Sequence, residues 1–402
     1  MLVYVFYFFA AVLIFLGYQS WRGGVLYLDF FKRELAKPES AFAPFCSIIA
    51  PCRGLDEGLR DNLAALFQQN YPRYEIVFVV DDEGDEAVSV IESLMADFEN
   101  TVFVKLVNAG KSADESQKVH NLRQAVLEVS AASEAFVFVD SDARPNEKWL
   151  RNLIAPLENE KIGCATGYRW FISKKIGFSS ELRSVWNASV ASALGANLRK
   201  NFCWGGSMAM RRDVFEKLEV RERWRGTLSD DFAVTAILKR ANLPVYFVPQ
   251  ALTATVENCN FRELLEFSTR QMKITRVYAP HFWKASLLGS LVFSAVFWAG
   301  SVLLFFLSGW HFRLTFFSIS LIFALGAGKA FLRLKAVKTV LKDYEKELNS
   351  QLVPHLILWT ITPPLYFYNC VCALFSRKIV WRGIRYELKS ATETAILTTN
   401  KS

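Results

Sequence analysis

Asp140 and Asp142 stand one residue apart at the end of the apolar run Ala135–Val139, in the stretch EAFVFVDSDARP. Residues two apart in a strand point the same way, so both carboxylates can leave the sheet edge together and hold one hard cation. Ser141 is small enough for a ligand to approach the backbone, and Pro145 stops further pairing. Open α/β sheets bind ligands beyond the carboxyl ends of their strands, so the position suits a metal–diphosphate site. Other candidates line up along the chain. Asp82, preceded by Asp81, ends the apolar run Glu75–Val80; Asp231, preceded by Asp230, opens a helical stretch; Arg270, Lys273 and Arg276 form a basic cluster further on. Transfer of a sugar from a diphosphate leaving group needs a cation, an acid for the nucleobase or ribose, a general base and positive side chains for the departing charge. The ordered set offers a residue for each role.

The elements that position these residues read as α/β. Strands at Phe45–Ala50, Glu75–Val80, Val102–Val107 and Ala135–Val139 alternate with helical patterns at Glu57–Gln69, Val88–Phe98 and Val119–Val129. Single helices between strands predict a mostly parallel central sheet with helices on both faces. Beyond the paired acids come a helix at Glu147–Leu157, a strand at Gly163–Phe171 and a helix with an apolar stripe at Ser180–Leu194. A Gly-Gly turn feeds a strand in Phe202–Met210; a helix at Phe232–Ala241 and a last strand at Val245–Val248 follow.

The 402 residues are 52% hydrophobic, with 34 Phe and 11 Trp, and the apolar residues are clustered. Met1–Trp21, Ala285–Leu307 and Leu352–Phe375 carry no Asp, Glu, Lys or Arg, and each can cross a hydrocarbon core of about 30 Å. Met1–Trp21 has no basic leader or Ala-x-Ala cleavage site, so it reads as an anchor. The expected organisation is an anchor over 1–21, a linker over 22–43, a soluble domain over 44–260 and a basic interfacial helix over 261–284. A transmembrane region over 285–376 and a basic tail over 377–402 complete it. Arg22, Lys32, Arg33 and Lys37 after the first span, and Lys273, Arg276 and Lys284 before the second, place the soluble domain in the cytoplasm. Pro363-Pro364 breaks helical hydrogen bonding inside the last apolar segment, so that a hinged or re-entrant segment returns the basic tail to the same side. The net charge of +8 suits an anionic bilayer rather than nucleic acid. Seven cysteines without a CxxC pair fit reduced thiols, and the four scattered histidines lack metal-ligand spacing.

With these residues in place, the chain resembles the inverting GT-A glycosyltransferases of family 2, most closely their ceramide glucosyltransferase branch, with the signature D…D…D…(Q/R)xxRW. Asp82 in VVDDEGD, the DSD of Asp140–Asp142 and Asp231 in LSDDF match the three acids. SQKVHNL (Ser116–Leu122), CWGGSM (Cys203–Met208) and WRGIRY (Trp381–Tyr386) are also similar to that branch. The resemblance implies a GT-A domain that moves a hexose, glucose, from a UDP-sugar to a membrane lipid hydroxyl such as that of ceramide, with Mg²⁺ or Mn²⁺. It implies that Asp82 binds uracil, Asp140 the ribose or diphosphate, and Asp142 the metal together with Asp140. Lys118 contacts the donor, Asp231 deprotonates the acceptor, and Arg270, Lys273 and Arg276 stabilise the departing UDP. Asp230 is a like-charge neighbour able to raise the pKa of Asp231. The fourth motif departs from the pattern: neither register of Arg270–Arg276 keeps the Trp that helps processive synthases bind their acceptor. Processive polysaccharide synthesis, polyprenyl-phosphate transfer and a non-catalytic membrane scaffold are the rival readings.

Overall fold

The computed structural model describes residues 2–99 and 101–399. The chain divides into two compact units. One comprises residues 1–32, 173–192 and 258–376; the other comprises residues 33–172, 193–257 and 377–402.

The second unit is built on β1 (Cys46–Pro51), β2 (Tyr74–Val80), β3 (Phe103–Asn108), β4 (Ala135–Val139), β5 (Cys164–Ile172), β6 (Ser207–Arg211) and β7 (Val245–Val256). Their order is β3-β2-β1-β4-β6-β5-β7, with β6 antiparallel to both of its neighbours and the remaining pairs parallel. β2 and β4 are buried at every position, which explains why they read as continuous apolar runs rather than alternating ones. The register places Ile49 beside Val77 on one side and Phe138 on the other. Helix Gln117–Glu128 lays Val119, Leu122 and Ala125 on this face, and helix Asp230–Arg240 adds Val234 and Leu238. Because β1, β2 and β4 are parallel, the residues that follow them emerge at one edge of the sheet.

The basic tail carries a sheet of its own. Residues 378–399 form a second sheet, β8 (Lys378–Trp381), β9 (Ile384–Ser390) and β10 (Glu393–Thr399), in the order β10-β9-β8. Ile384, Tyr386 and Leu388 are buried and alternate with Arg385, Glu387 and Lys389. This period-two pattern is masked by the charge count. The sheet is fastened to the larger one: Tyr386 Oη accepts from Gln117 N at 3.1 Å. Gly226, at φ 77°, leaves room for Thr392 O, which would lie 2.5 Å from any Cβ there.

In the membrane unit the first helix runs Leu2–Leu35, well past the expected stop at Trp21. Tyr27, Leu28, Phe30 and Phe31 are buried and continue the helical apolar stripe through the segment read as linker. The expected basic helix ends at Tyr278, and Pro280 occupies the first turn of the next one, where its missing N–H costs nothing. Among the described residues three helices are long and apolar enough to cross a membrane: Val3–Leu35, Pro280–Leu303 and Gly309–Lys338. Phe6, Ala10, Val296, Phe297, Ile319 and Ile322 form a common core between them. Helices Leu352–Leu358 and Thr362–Phe375 are bent by 62° relative to each other, with Pro363 and Pro364 opening the second. Helix Phe178–Ala191 is buried on nearly every side, and Leu182, Val185 and Trp186 of its apolar stripe pack in the core.

Candidate active site

Lys118 sits in the first turn of helix Gln117–Glu128, whose cap is Ser116. A cation is disfavoured at a helix N-terminus, and two carboxylates offset this. Lys118 Nζ lies 2.6 Å from Asp140 Oδ1 and 3.1 Å from Asp230 Oδ1. Gly205 permits the approach: a Cβ on it would meet Asp230 Oδ2 at 2.1 Å and Lys118 Nζ at 2.9 Å. The core fixes the other side of Asp230, whose carbonyl accepts from Trp224 Nε1 at 3.0 Å. Trp224 in turn stands edge-on to Phe138 of β4, ring centroids 5.4 Å apart.

Burial opposes the charge on Asp140, but Lys118 and Arg169 prevail and hold it below the usual carboxylate range. Burial pushes Asp230 up to about 6, against the pull of Lys118. Asp231 is half-buried: its Oδ1 accepts from Ser229 Oγ at 2.5 Å and Phe232 N at 2.7 Å, and its Oδ2 accepts from Gly205 N at 3.3 Å. The last contact is long, leaving Oδ2 the freer oxygen.

Asp142 Oδ2 pairs with Arg169 Nη1 at 3.0 Å, while its Oδ1 is buried without a hydrogen-bond partner. Burial pushes this carboxyl up to about 6. An enclosed carboxylate oxygen with nothing to accept from is the donor a hard divalent cation takes. Asp142 and Asp140 therefore fit a metal, although among the described residues no group of three or more His, Cys, Asp and Glu is gathered for one.

Beyond β1 and β2 the same edge carries a second set of charges. Asp81 is buried between Arg53 and Lys111, whose Nζ is 2.9 Å away; Lys111 also reaches Asp82 at 3.1 Å. Asp82 is exposed, and the Gly84 amide and Lys111 hold its carboxyl low. Asp56 accepts from Ser141 Oγ at 2.6 Å and pairs with Arg382 at 2.5 Å. Arg382 occupies the turn between β8 and β9 at φ 49°, a conformation that favours glycine, and its carbonyl accepts from Arg53 Nε at 3.1 Å.

Lys118, Asp140, Asp142 and Asp231 thus share one sheet edge with Asp82. Arg270, Lys273 and Arg276 belong to helix Phe261–Tyr278 of the membrane unit. There Arg276 Nη1 donates to the carbonyls of Ala373 and Leu374, the latter at 2.9 Å. Sequence reasoning missed Arg53, Asp56, Lys111, Arg169 and Arg382. Only Arg382 carried a signal, as part of the quoted WRGIRY.

A mostly parallel sheet with acids and bases on its carboxyl edge, joined to long apolar helices, makes this a membrane-anchored α/β protein. The chain belongs to Glycosyl transferase family 21, whose model matches residues 5–394. It is 29% identical over 237 residues to ceramide glucosyltransferase 3 of Caenorhabditis elegans, covering 57% of this chain and 48% of that protein. It is 27% identical over 172 residues to the ceramide glucosyltransferase of Candida albicans, covering 40% and 29%. The chain thus spans about half or less of the length of the curated relatives it matches. Among solved structures it is similar to the mannosyltransferase PcManGT from Pyrobaculum calidifontis in complex with GDP-Man and Mn²⁺. That match has 18% identity and a TM-score of 0.45, and covers 91% of this chain and 99% of the other.

Proposed function

We propose that the protein is an inverting GT-A glycosyltransferase that moves a hexose, glucose, from a UDP-sugar to the hydroxyl of a membrane lipid such as ceramide. The observation that carries this reading is Lys118 bridging Asp140 and Asp230, with Asp231 beside it and the buried, partnerless Asp142 Oδ1 on the same edge. Family membership supports the reaction class.

In this reading Asp231 Oδ2 takes the proton of the lipid hydroxyl. The oxygen then attacks the anomeric carbon from the face opposite the diphosphate; the new C–O bond forms as the bond to the diphosphate breaks, and the configuration inverts. Lys118 stays between Asp140 and Asp230 and orients both. Arg169 holds Asp142 by one oxygen so that the other faces the site. A divalent ion, Mg²⁺ or Mn²⁺, on Asp142 and Asp140 would neutralise the diphosphate charge. Asp82 is the candidate for the nucleobase, and Arg270, Lys273 and Arg276 remain candidates for the departing UDP.

The basic flanks of the first two spans favour a cytoplasmic site. Residues 377–402 fold with residues 33–172, so both stand on one side of the bilayer. The chain between them then crosses an even number of times. The two long helices account for this, and the bent Pro363-Pro364 pair is re-entrant. Incubating the detergent-solubilised protein with labelled nucleotide sugars and a total lipid extract tests the reaction. A labelled neutral glycolipid from UDP-glucose is expected; label in a long polymer or no transfer to any lipid defeats the reading.

A further inference from the structure

The membrane unit holds a buried guanidinium without a counter-charge. Arg333, on helix Gly309–Lys338, is 5% exposed, and its Nε is sealed with no hydrogen-bond partner. Among the described residues no Asp or Glu forms an ion pair with it. The groups within its electrostatic reach are Lys329, His355, Tyr27 and Tyr366, none of them an anion at neutral pH. Lys329 is one helical turn away and spends one proton on Ser20 Oγ at 2.9 Å. The Tyr27 hydroxyl is also buried and partnerless. An isolated buried cation is strongly destabilising unless something negative joins it.

The depth of the cluster says what can join it. Gly328 packs against Trp21, whose ring would lie 3.0 Å from a Cβ there, and Trp marks the headgroup level of a bilayer. Lys329 and Arg333 follow Gly328 toward the helix end, and Tyr27 follows Trp21 on the first helix. On those two helices Leu26 and Phe331 leave apolar surface open, 62% and 45% exposed. Positive charge without carboxylates, at headgroup depth and flanked by apolar surface, matches a phosphate carried on acyl chains. We propose that Lys329, Arg333 and Tyr27 form a binding site for the phosphate of an anionic phospholipid. The guanidinium fork takes two phosphate oxygens, the ammonium adds a point charge and the phenol adds a third donor. The site uses none of the glycosyl-transfer residues and does not depend on the reaction proposed above.

The test uses the full-length, delipidated protein in neutral detergent, read by native mass spectrometry and thermal unfolding. Phosphatidylglycerol should be retained about tenfold or more over phosphatidylcholine and should raise the unfolding midpoint. Arg333→Gln and Lys329→Gln should lose that preference. Arg333→Met should abolish the lipid-induced shift while raising the midpoint of the lipid-free protein, because it removes an unpaired buried charge. Equal retention of the two lipids, or unchanged preference in Arg333→Gln, overturns the proposal. So does a lower lipid-free midpoint in Arg333→Met, which would mean the guanidinium is already satisfied by protein. Inorganic phosphate reproducing the full shift would overturn the lipid as the source.

Discussion

Lys118 Nζ lies 2.6 Å from Asp140 and 3.1 Å from Asp230, so one ammonium ties the end of β4 to the start of helix Asp230–Arg240. All three groups are largely buried, and the arrangement holds only while each charge has its partner. Replacing Lys118 by Met leaves buried Asp230 without its ion partner and Asp140 with Arg169 alone of the two cations named above, which should cost about 3–5 kcal/mol. A fall in the thermal midpoint, larger than for Lys118→Arg, is the expected result; an unchanged midpoint removes the bridge from the account of stability.

Gly205 makes a sharper case. Its Cβ would fall 2.1 Å from Asp230 Oδ2 and cannot be relieved without moving the carboxylate or the turn. Gly205→Ala should therefore impair folding or displace Asp230, whereas Gly195→Ala, with open space around it, should be tolerated. Equal thermal midpoints for the two variants would show that the turn yields.

Asp231→Asn should leave nucleotide-sugar binding nearly intact and lower turnover by a factor on the order of 10²–10⁴. The amide oxygen keeps the contacts to Ser229 and Phe232 N, only the long contact from Gly205 N is lost, and the group cannot accept a proton at neutral pH. Steady-state kinetics with separate donor-binding measurements decide the matter; near-normal turnover would leave the base unidentified.

Chelation should abolish activity, and Mg²⁺ or Mn²⁺ should restore it. Asp142→Asn replaces the carboxylate whose Oδ1 is without a partner and should weaken metal-dependent donor binding, as read by calorimetry with and without the ion. Full activity after exhaustive chelation would separate Asp142 from any metal role.

His120 offers a pH signature outside the reacting groups. Its Nδ1 faces Glu115 at 3.1 Å and its Nε2 faces Ala109 O at 3.0 Å, so both ring nitrogens meet acceptors. The hydrogen bond to Glu115 raises its pKa above 6.5. The stabilisation is thus fully present below about 6.5 and is lost as pH rises through the higher folded value. The midpoint of the wild type minus that of His120→Gln should be largest near pH 5.5 and shrink toward pH 8.5; a pH-independent difference would falsify the assignment.

The sequence made the DxD strand plain because a fully buried apolar run stops dead at two acids. Asp231 was equally legible, standing at a helix start. The first helix was cut short because Lys32, Arg33 and Glu34 hide the stripe of Tyr27, Phe30 and Phe31. The partners of Arg169 and Arg382 were out of reach for another reason. Each arginine meets its carboxylate through pairing between segments distant in the chain, and no local spacing encodes such a meeting.

The sheet of residues 378–399 carries a consequence for how the protein is made. Arg382, Tyr386 and Thr392 leave the ribosome after every membrane helix, yet they complete contacts to Asp56, Gln117 and Gly226. These contacts therefore cannot form until helices Pro280–Leu303 and Gly309–Lys338 have been synthesised. The small sheet docks last, so a nascent chain that stalls or is cut after Phe375 lacks the partners that Arg382, Tyr386 and Thr392 bring to Asp56, Gln117 and Gly226.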